Sequence, residues 1–172
     1  MTRFIMSIQE AVRLVVDLAI FACGGEVFVT KMKVIRIQDL AEVMIQELSA
    51  AFGFSAKEIE IQIIGTKPGE KMFEELMSLE ETRRSLELER YFVVLPAFSC
   101  AHRRIHYSYD GIVSNNIQIP YNSANEEPLT IEELRTFLNN NRLLERDQIQ
   151  MEHPKERYWP CGNCVIESRI QE

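Results

Sequence analysis

Glycine is scarce in this chain of 172 residues: there are seven, and none stands in the Gly-x-x-Gly-x-x-Gly spacing that lets a backbone wrap a dinucleotide pyrophosphate. A Walker loop is missing too, because Gly65 and Gly69 lie too close together and are followed by Glu70 rather than by Lys-Ser/Thr. Basic residues are outnumbered, with 19 Lys and Arg against 26 Asp and Glu, and the resulting net charge of −7 excludes nucleic acid as a general partner. A local cationic pocket for a small phosphate ligand stays open. The four cysteines, Cys23, Cys100, Cys161 and Cys164, form no dense disulfide framework, which suits a reducing compartment and a cytoplasmic location. Long apolar runs are absent as well. The stretch Leu14 to Cys23 is about ten residues, contains Asp17 and follows Glu10 and Arg13, so it is too short and too charged to span a membrane. The same charges exclude a signal peptide.

What is present suits one globular domain with a real core: 46% hydrophobic and 26% charged residues. Residues 1–144 form that domain, and 145–172, which alternate charges with Pro154 and Pro160, read as a loosely ordered tail. Ser7 and Glu10 make a capping box ahead of a helix whose apolar positions are Ile8, Ala11, Val12, Val15, Val16 and Ala19, stopped by Gly24-Gly25. Residues 26–30 predict a strand, and 37–53 a second amphipathic helix ending at Gly53. Residues 59–65, "IEIQIIG", alternate as a strand with Ile59, Ile61 and Ile63 on one face. The acidic segment after residue 71 has helical composition, "YFVVLP" at 91–96 predicts a buried strand, and residues 97–128 carry only a weak pattern. Thr130 and Glu133 cap a last helix within 128–141, "PLTIEELRTFLNNN".

The stretch "GTKPGEK", residues 65–71, concentrates the chemistry. A strand ending at Gly65 and a helix starting near Gly69 would point free amides and a partial positive charge at an anion. Lys67 adds a full charge there, and Glu70 can accept the two hydroxyl hydrogen bonds of a ribose diol. The same turn also serves as a plain helix-starting corner, since Pro-Gly turns are permissive.

Taken together, "MTRFIMSIQEAV", "GGEVFV", "IQDLA" and "IQIIGTKPGEKMFEEL", in that order, resemble the C-terminal half of one enzyme family. It comprises the extended short-chain dehydrogenase/reductases of bacterial polysaccharide biosynthesis, the CapD-like UDP-sugar dehydratases and epimerases. "YFVVLP" and "YNSANEEPLTIEELRTFL" are similar to the ends of those proteins, so the resemblance spans roughly residues 1–140. It implies a mixed α+β substrate-binding domain, with Arg3 and Lys67 on a nucleotide diphosphate and Glu70 on ribose hydroxyls. Lys67 stands where the family has arginine; it keeps the charge and loses the planar fork, which implies a looser diphosphate grip.

The family's hydride chemistry, by the same resemblance, needs NAD(P) and a Tyr-x-x-x-Lys pair. None of Tyr91, Tyr107, Tyr109, Tyr121 and Tyr158 has a lysine four positions on. The expectation is a UDP-sugar-binding domain with no catalytic or cofactor-binding residue of its own, inactive alone and without the Rossmann half that would carry NAD(P). Opening on the methionine of MTRF fits a start inside a longer ancestral frame. Alternatives are a non-enzymatic module docking on a separate Rossmann-domain protein or a full-length homologue, and a truncated remnant. An unpaired substrate domain is expected to expose the apolar surface that would dock. Cys161 and Cys164 form a Cys-x-x-Cys pair with His153 nearby, short of the four ligands of a structural zinc, and "HRRIH" at 102–106 reads as a solvated basic loop. No metal site is expected.

Overall fold

The structure, a computed structural model, describes residues 1–98 and 105–144; the predicted tail, the Cys161/Cys164 pair and most of the 102–106 loop lie outside the described residues. A strand at Thr2–Ile5 (β1) leads into a helix at Ile8–Phe21 (α1), then strands Val27–Thr30 (β2) and Lys33–Arg36 (β3) and a helix at Ile37–Leu48 (α2). After a 3-10 turn at Ser49–Phe52 and a second at Ala56–Glu58 come Glu75–Met77 (β4), the short helix Leu79–Thr82 (α3), Ser85–Leu88 (β5) and Tyr91–Val94 (β6). Ile112–Ser114 (β7), Tyr121–Asn122 (β8) and the helix Ile131–Asn140 (α4) complete the order.

The caps form as the sequence predicts. Ser7 Oγ accepts from the Glu10 amide at 3.2 Å while the Glu10 carboxylate accepts from the Ser7 amide at 2.7 Å. Thr130 and Glu133 repeat the arrangement on α4, and Ser78 and Glu81 on α3. The α2 segment ends where expected: Gly53 takes φ +80°, a left-handed stop open to glycine without penalty.

All ladders between the named strands are antiparallel. One sheet has the order β2-β6-β5-β7, and two pairs, β1-β3 and β4-β8, stand beside it. The period of two along β6 divides the core. Phe92 and Val94 join Val29, Met77 and Tyr121 on one face, with Phe4 against them. Tyr91 and Val93 join Leu88 on the other, against Leu14 of α1. A third cluster, Ile35, Val43, Leu134, Phe137 and Leu138, seats α2 and α4 on β3. The fold is therefore mixed α+β, as the resemblance implies.

Two expectations fail. Residues 59–65 form no strand, and Ile63 and Ile64 are 84% and 72% exposed. Alternation makes a strand only when a neighbouring edge takes up its amides and carbonyls, and no described strand runs beside this segment. The acidic segment after residue 71 is not a helix beyond the four residues of α3: β4 pairs with β8 and β5 inserts between β6 and β7. Here tertiary ladders overrule a helix-favouring composition.

Helix α1 is inverted. None of its residues is buried, and Ile8, Val12, Val15, Val16 and Ile20 all face outward. Its inner side carries Leu14 and Asp17, whose carboxylate accepts from the Tyr91 hydroxyl at 3.1 Å and the Arg90 guanidinium at 3.2 Å. Burial, reinforced by Asp17, pushes the Tyr91 phenol above its ordinary range.

Candidate functional site

The MTRF stretch becomes β1 because its outer flank pairs with β3, Arg3 opposite Ile35. Its other side is held by the segment after the GTKPGEK turn: the Thr2 amide donates to the Met72 carbonyl at 3.0 Å. The Arg3 guanidinium follows, donating to the Lys71 carbonyl at 2.7 Å and to the Thr2 carbonyl at 2.7 Å, with Nε 3.7 Å from the Glu74 carboxylate. Nη2 also donates to Met1 Sδ at 3.0 Å, and the side chain is 23% exposed, so the guanidinium lies at the surface with one Nη1 hydrogen left for an anion.

The turn itself is a hydrogen-bonded β-turn. The Glu70 amide donates to the Lys67 carbonyl at 3.1 Å across Pro68 and Gly69, and Gly69 takes φ +83°. Proline first and a positive-φ glycine second is what a type II turn requires. The Glu70 carboxylate closes the loop by accepting from the Lys67 amide at 3.1 Å. No helix follows Gly69, so the expected helix N-terminus is not available to an anion. What the turn offers is charge and one carboxylate, not a cradle of free amides.

Arg3 and the turn are thus brought side by side through Lys71, the residue after Glu70, while Lys67 and Glu70 remain exposed on the turn. A hollow of about 520 Å³ lined by Phe21, Leu88, Arg90, Tyr91 and Tyr109 includes none of the three. Sequence reasoning passed over Thr2, Glu74 and Ser123. Ser123 is fully buried; its hydroxyl lies 3.0 Å from that of Thr2 and accepts from the Glu74 amide at 2.9 Å. The Glu74 carboxylate in turn accepts from the Phe4 amide at 2.9 Å. The signal was there in "EKMFEELM" and "YNSANEEP", where Glu74 and Ser123 stand within three residues of the buried Met77 and Tyr121, though nothing in one dimension pairs the two stretches.

A second polar knot closes the Gly24-Gly25 corner. Glu26 accepts from the amides of Cys23 and Gly24, the latter at 2.7 Å, and from the Tyr109 hydroxyl at 3.0 Å. Burial works against its charge, but these donors prevail and hold the carboxyl below the usual range, while burial and this partner raise the Tyr109 phenol. Among the described residues no group of His, Cys, Asp and Glu could hold a metal ion, and no helix is long and apolar enough to cross a membrane.

Residues 1–96 match the family described as Polysaccharide biosynthesis protein. The chain is 46% identical over 138 residues to an uncharacterized membrane protein of Methanocaldococcus jannaschii, covering 80% of this chain and 38% of that one. It is 33% identical over 140 residues to a UDP-glucose 4-epimerase of Rickettsia felis, covering 81% and 39%. The solved structure of Pen from Bacillus thuringiensis superposes with a TM-score of 0.69 at 35% identity, covering 84% of this chain and 40% of that one. The chain spans about two-fifths of the length of these three relatives.

Proposed function

The chain belongs to the polysaccharide biosynthesis protein family, in its extended short-chain dehydrogenase/reductase-like branch of nucleotide-sugar dehydratases and epimerases, and corresponds to a C-terminal part of its members; from this premise we propose that it binds a UDP-sugar through Arg3, Lys67 and Glu70. The observation that carries the reading is the 2.7 Å bond from Arg3 to the Lys71 carbonyl, which draws the MTRF strand and the turn onto one surface. Two cations can then share a diphosphate, and the Glu70 oxygen not used by the Lys67 amide can accept ribose hydroxyls. The name of the Rickettsia felis relative supports the uridine nucleotide.

These residues do not fit a nicotinamide dinucleotide. They supply neither a glycine-rich loop nor a Tyr-x-x-x-Lys pair, and the ladders between the named strands are all antiparallel where a Rossmann site needs a parallel sheet. Oxidation and reduction of the sugar therefore belong to a Rossmann domain with its own NAD(P), and this part alone holds substrate without transforming it. The work is intracellular, where nucleotide sugars and NAD(P) are supplied.

Calorimetric titration with UDP tests the binding reading. The wild-type chain binds, Arg3→Ala and Lys67→Ala each weaken binding about tenfold, and Lys67→Arg tightens it severalfold by restoring the bidentate fork. A folded wild-type chain without measurable affinity for UDP sinks the reading.

The outward face of α1 favours a companion role for the same chain, that of a docking module. Ile8 is 75% and Ile20 78% exposed on one helix, more apolar surface than an isolated domain ordinarily leaves in water. A Rossmann-domain protein or a longer homologue is the partner that would cover it. Ile20→Asp should abolish co-purification with a separately expressed Rossmann-domain partner or longer homologue while leaving UDP affinity intact; retained co-purification would remove α1 from the interface.

A further inference from the structure

We propose that Glu74 and Ser123 are positioning residues that hold the Arg3 guanidinium ready for the diphosphate, a proposal resting on the UDP-binding reading above. Two separate stretches of chain converge on the two residues flanking Arg3. Thr2 meets the Ser123 hydroxyl at 3.0 Å, and the Phe4 amide donates to the Glu74 carboxylate at 2.9 Å. Glu74 and Ser123 are themselves locked together twice: the Glu74 amide donates to Ser123 Oγ at 2.9 Å, and the Ser123 amide donates to the Glu74 carbonyl at 2.8 Å. A fully buried serine hydroxyl with two side-chain and backbone partners is a rigid support, because every polar atom at that depth must be satisfied.

The carboxylate then reaches the guanidinium. One oxygen of Glu74 takes the Phe4 amide and the other lies 3.7 Å from Arg3 Nε. That separation orients the fork without a bidentate embrace, which would consume the donor a phosphate needs. The Lys71 carbonyl, three residues before Glu74 on the same segment, fixes the Nη2 edge, and the Thr2 carbonyl takes Nη1 at 2.7 Å. A guanidinium already confined on two edges gives up less rotational freedom when an anion arrives. On this arrangement Ser123 fixes the strand, Glu74 aims the side chain, and Arg3 makes the contact.

The test is a double-mutant cycle on the full chain, titrated with UDP and, in parallel, with uridine. Glu74→Gln keeps an acceptor for the Phe4 amide and removes the charge facing Arg3. It should weaken UDP about fivefold to tenfold, leave uridine unchanged, and add nothing further in an Arg3→Ala background. Equal losses for UDP and uridine, additivity with Arg3→Ala, or an unchanged or tighter UDP affinity would overturn the assignment. A ligand-free readout keeps the two questions apart. In 15N relaxation spectra the Arg3 Nε–H should be as ordered as the backbone in the wild type and mobile in Glu74→Gln. Equal order in both proteins rejects the positioning role whether or not UDP binds, whereas failure of the wild type to bind UDP counts against the site itself.

Discussion

Two segments that both favour extended chain meet opposite ends in this molecule. Tyr91–Val94 and Ile59–Ile64 are both short, β-favouring and rich in branched side chains. The first lies between β2 and β5 with all four residues buried; the second runs through solvent as irregular chain. Their difference is not propensity but partnership. A central strand has both edges satisfied and both faces covered, so its apolar residues are removed from water twice over. The other stretch has no strand beside it among the described residues, and its isoleucines stay wet. An alternating pattern therefore reports that a strand is permitted, and the neighbours decide whether one forms.

Substitutions on either side of that contrast should differ sharply. Met77→Ala, at a fully buried position beneath β6, is expected to lower unfolding stability by about 2–5 kcal/mol through lost burial and the cavity left behind, read as a shift in urea midpoint. Thr130→Ala removes the cap of α4, which carries Leu134, Phe137 and Leu138 into the core, and should cost about 1 kcal/mol in the same measurement. Ile63→Asp, at a position 84% exposed, should change stability by less than about 0.5 kcal/mol. A large loss there would show that residues 59–65 are paired in solution and would erase the contrast.

Acid sharpens the comparison in a gentler way. Glu26 has its carboxyl held below the usual range by amide donors and Tyr109, so its stabilisation is fully present above the pKa of the unfolded chain and is lost as pH falls through the folded value. Glu26→Gln should therefore be less stable than wild type near neutrality, and the gap should close below about pH 4.5. Urea midpoints between pH 7 and 3 check it, and a gap that widens in acid would reverse the assignment.

Legibility followed the range of the interactions. The boxes at Ser7 and Thr130 were visible because each partner lies three residues from its cap, and a tight turn was visible in Lys-Pro-Gly-Glu, though not its type. Arg3, Lys67 and Glu70 were singled out only by the resemblance of their stretches to the family, since the turn and the terminal charge alone read as ordinary surface. The absence of a helix after Gly69 was hidden, because "KMFEEL" has helical composition and is claimed instead by Met72 and Glu74 contacts with β1 and by β8. Glu74 and Ser123, 49 positions apart, were hidden for the same reason.

The sequence by itself determined the local chemistry: the caps, the positive-φ glycine of the turn, the apolar stripe of α1 and the charges of the candidate clamp. These depend on residues within one turn of each other, where covalent geometry brings the partners together whatever the rest of the chain does. Tertiary structure alone decided that β6 is buried and residues 59–65 are not, that α1 turns its apolar stripe outward, and that Arg3 rests on Lys71 and Glu74. Each of those outcomes requires an edge, a face or a carboxylate supplied from far along the chain, and only the folded arrangement of strands brings it within reach.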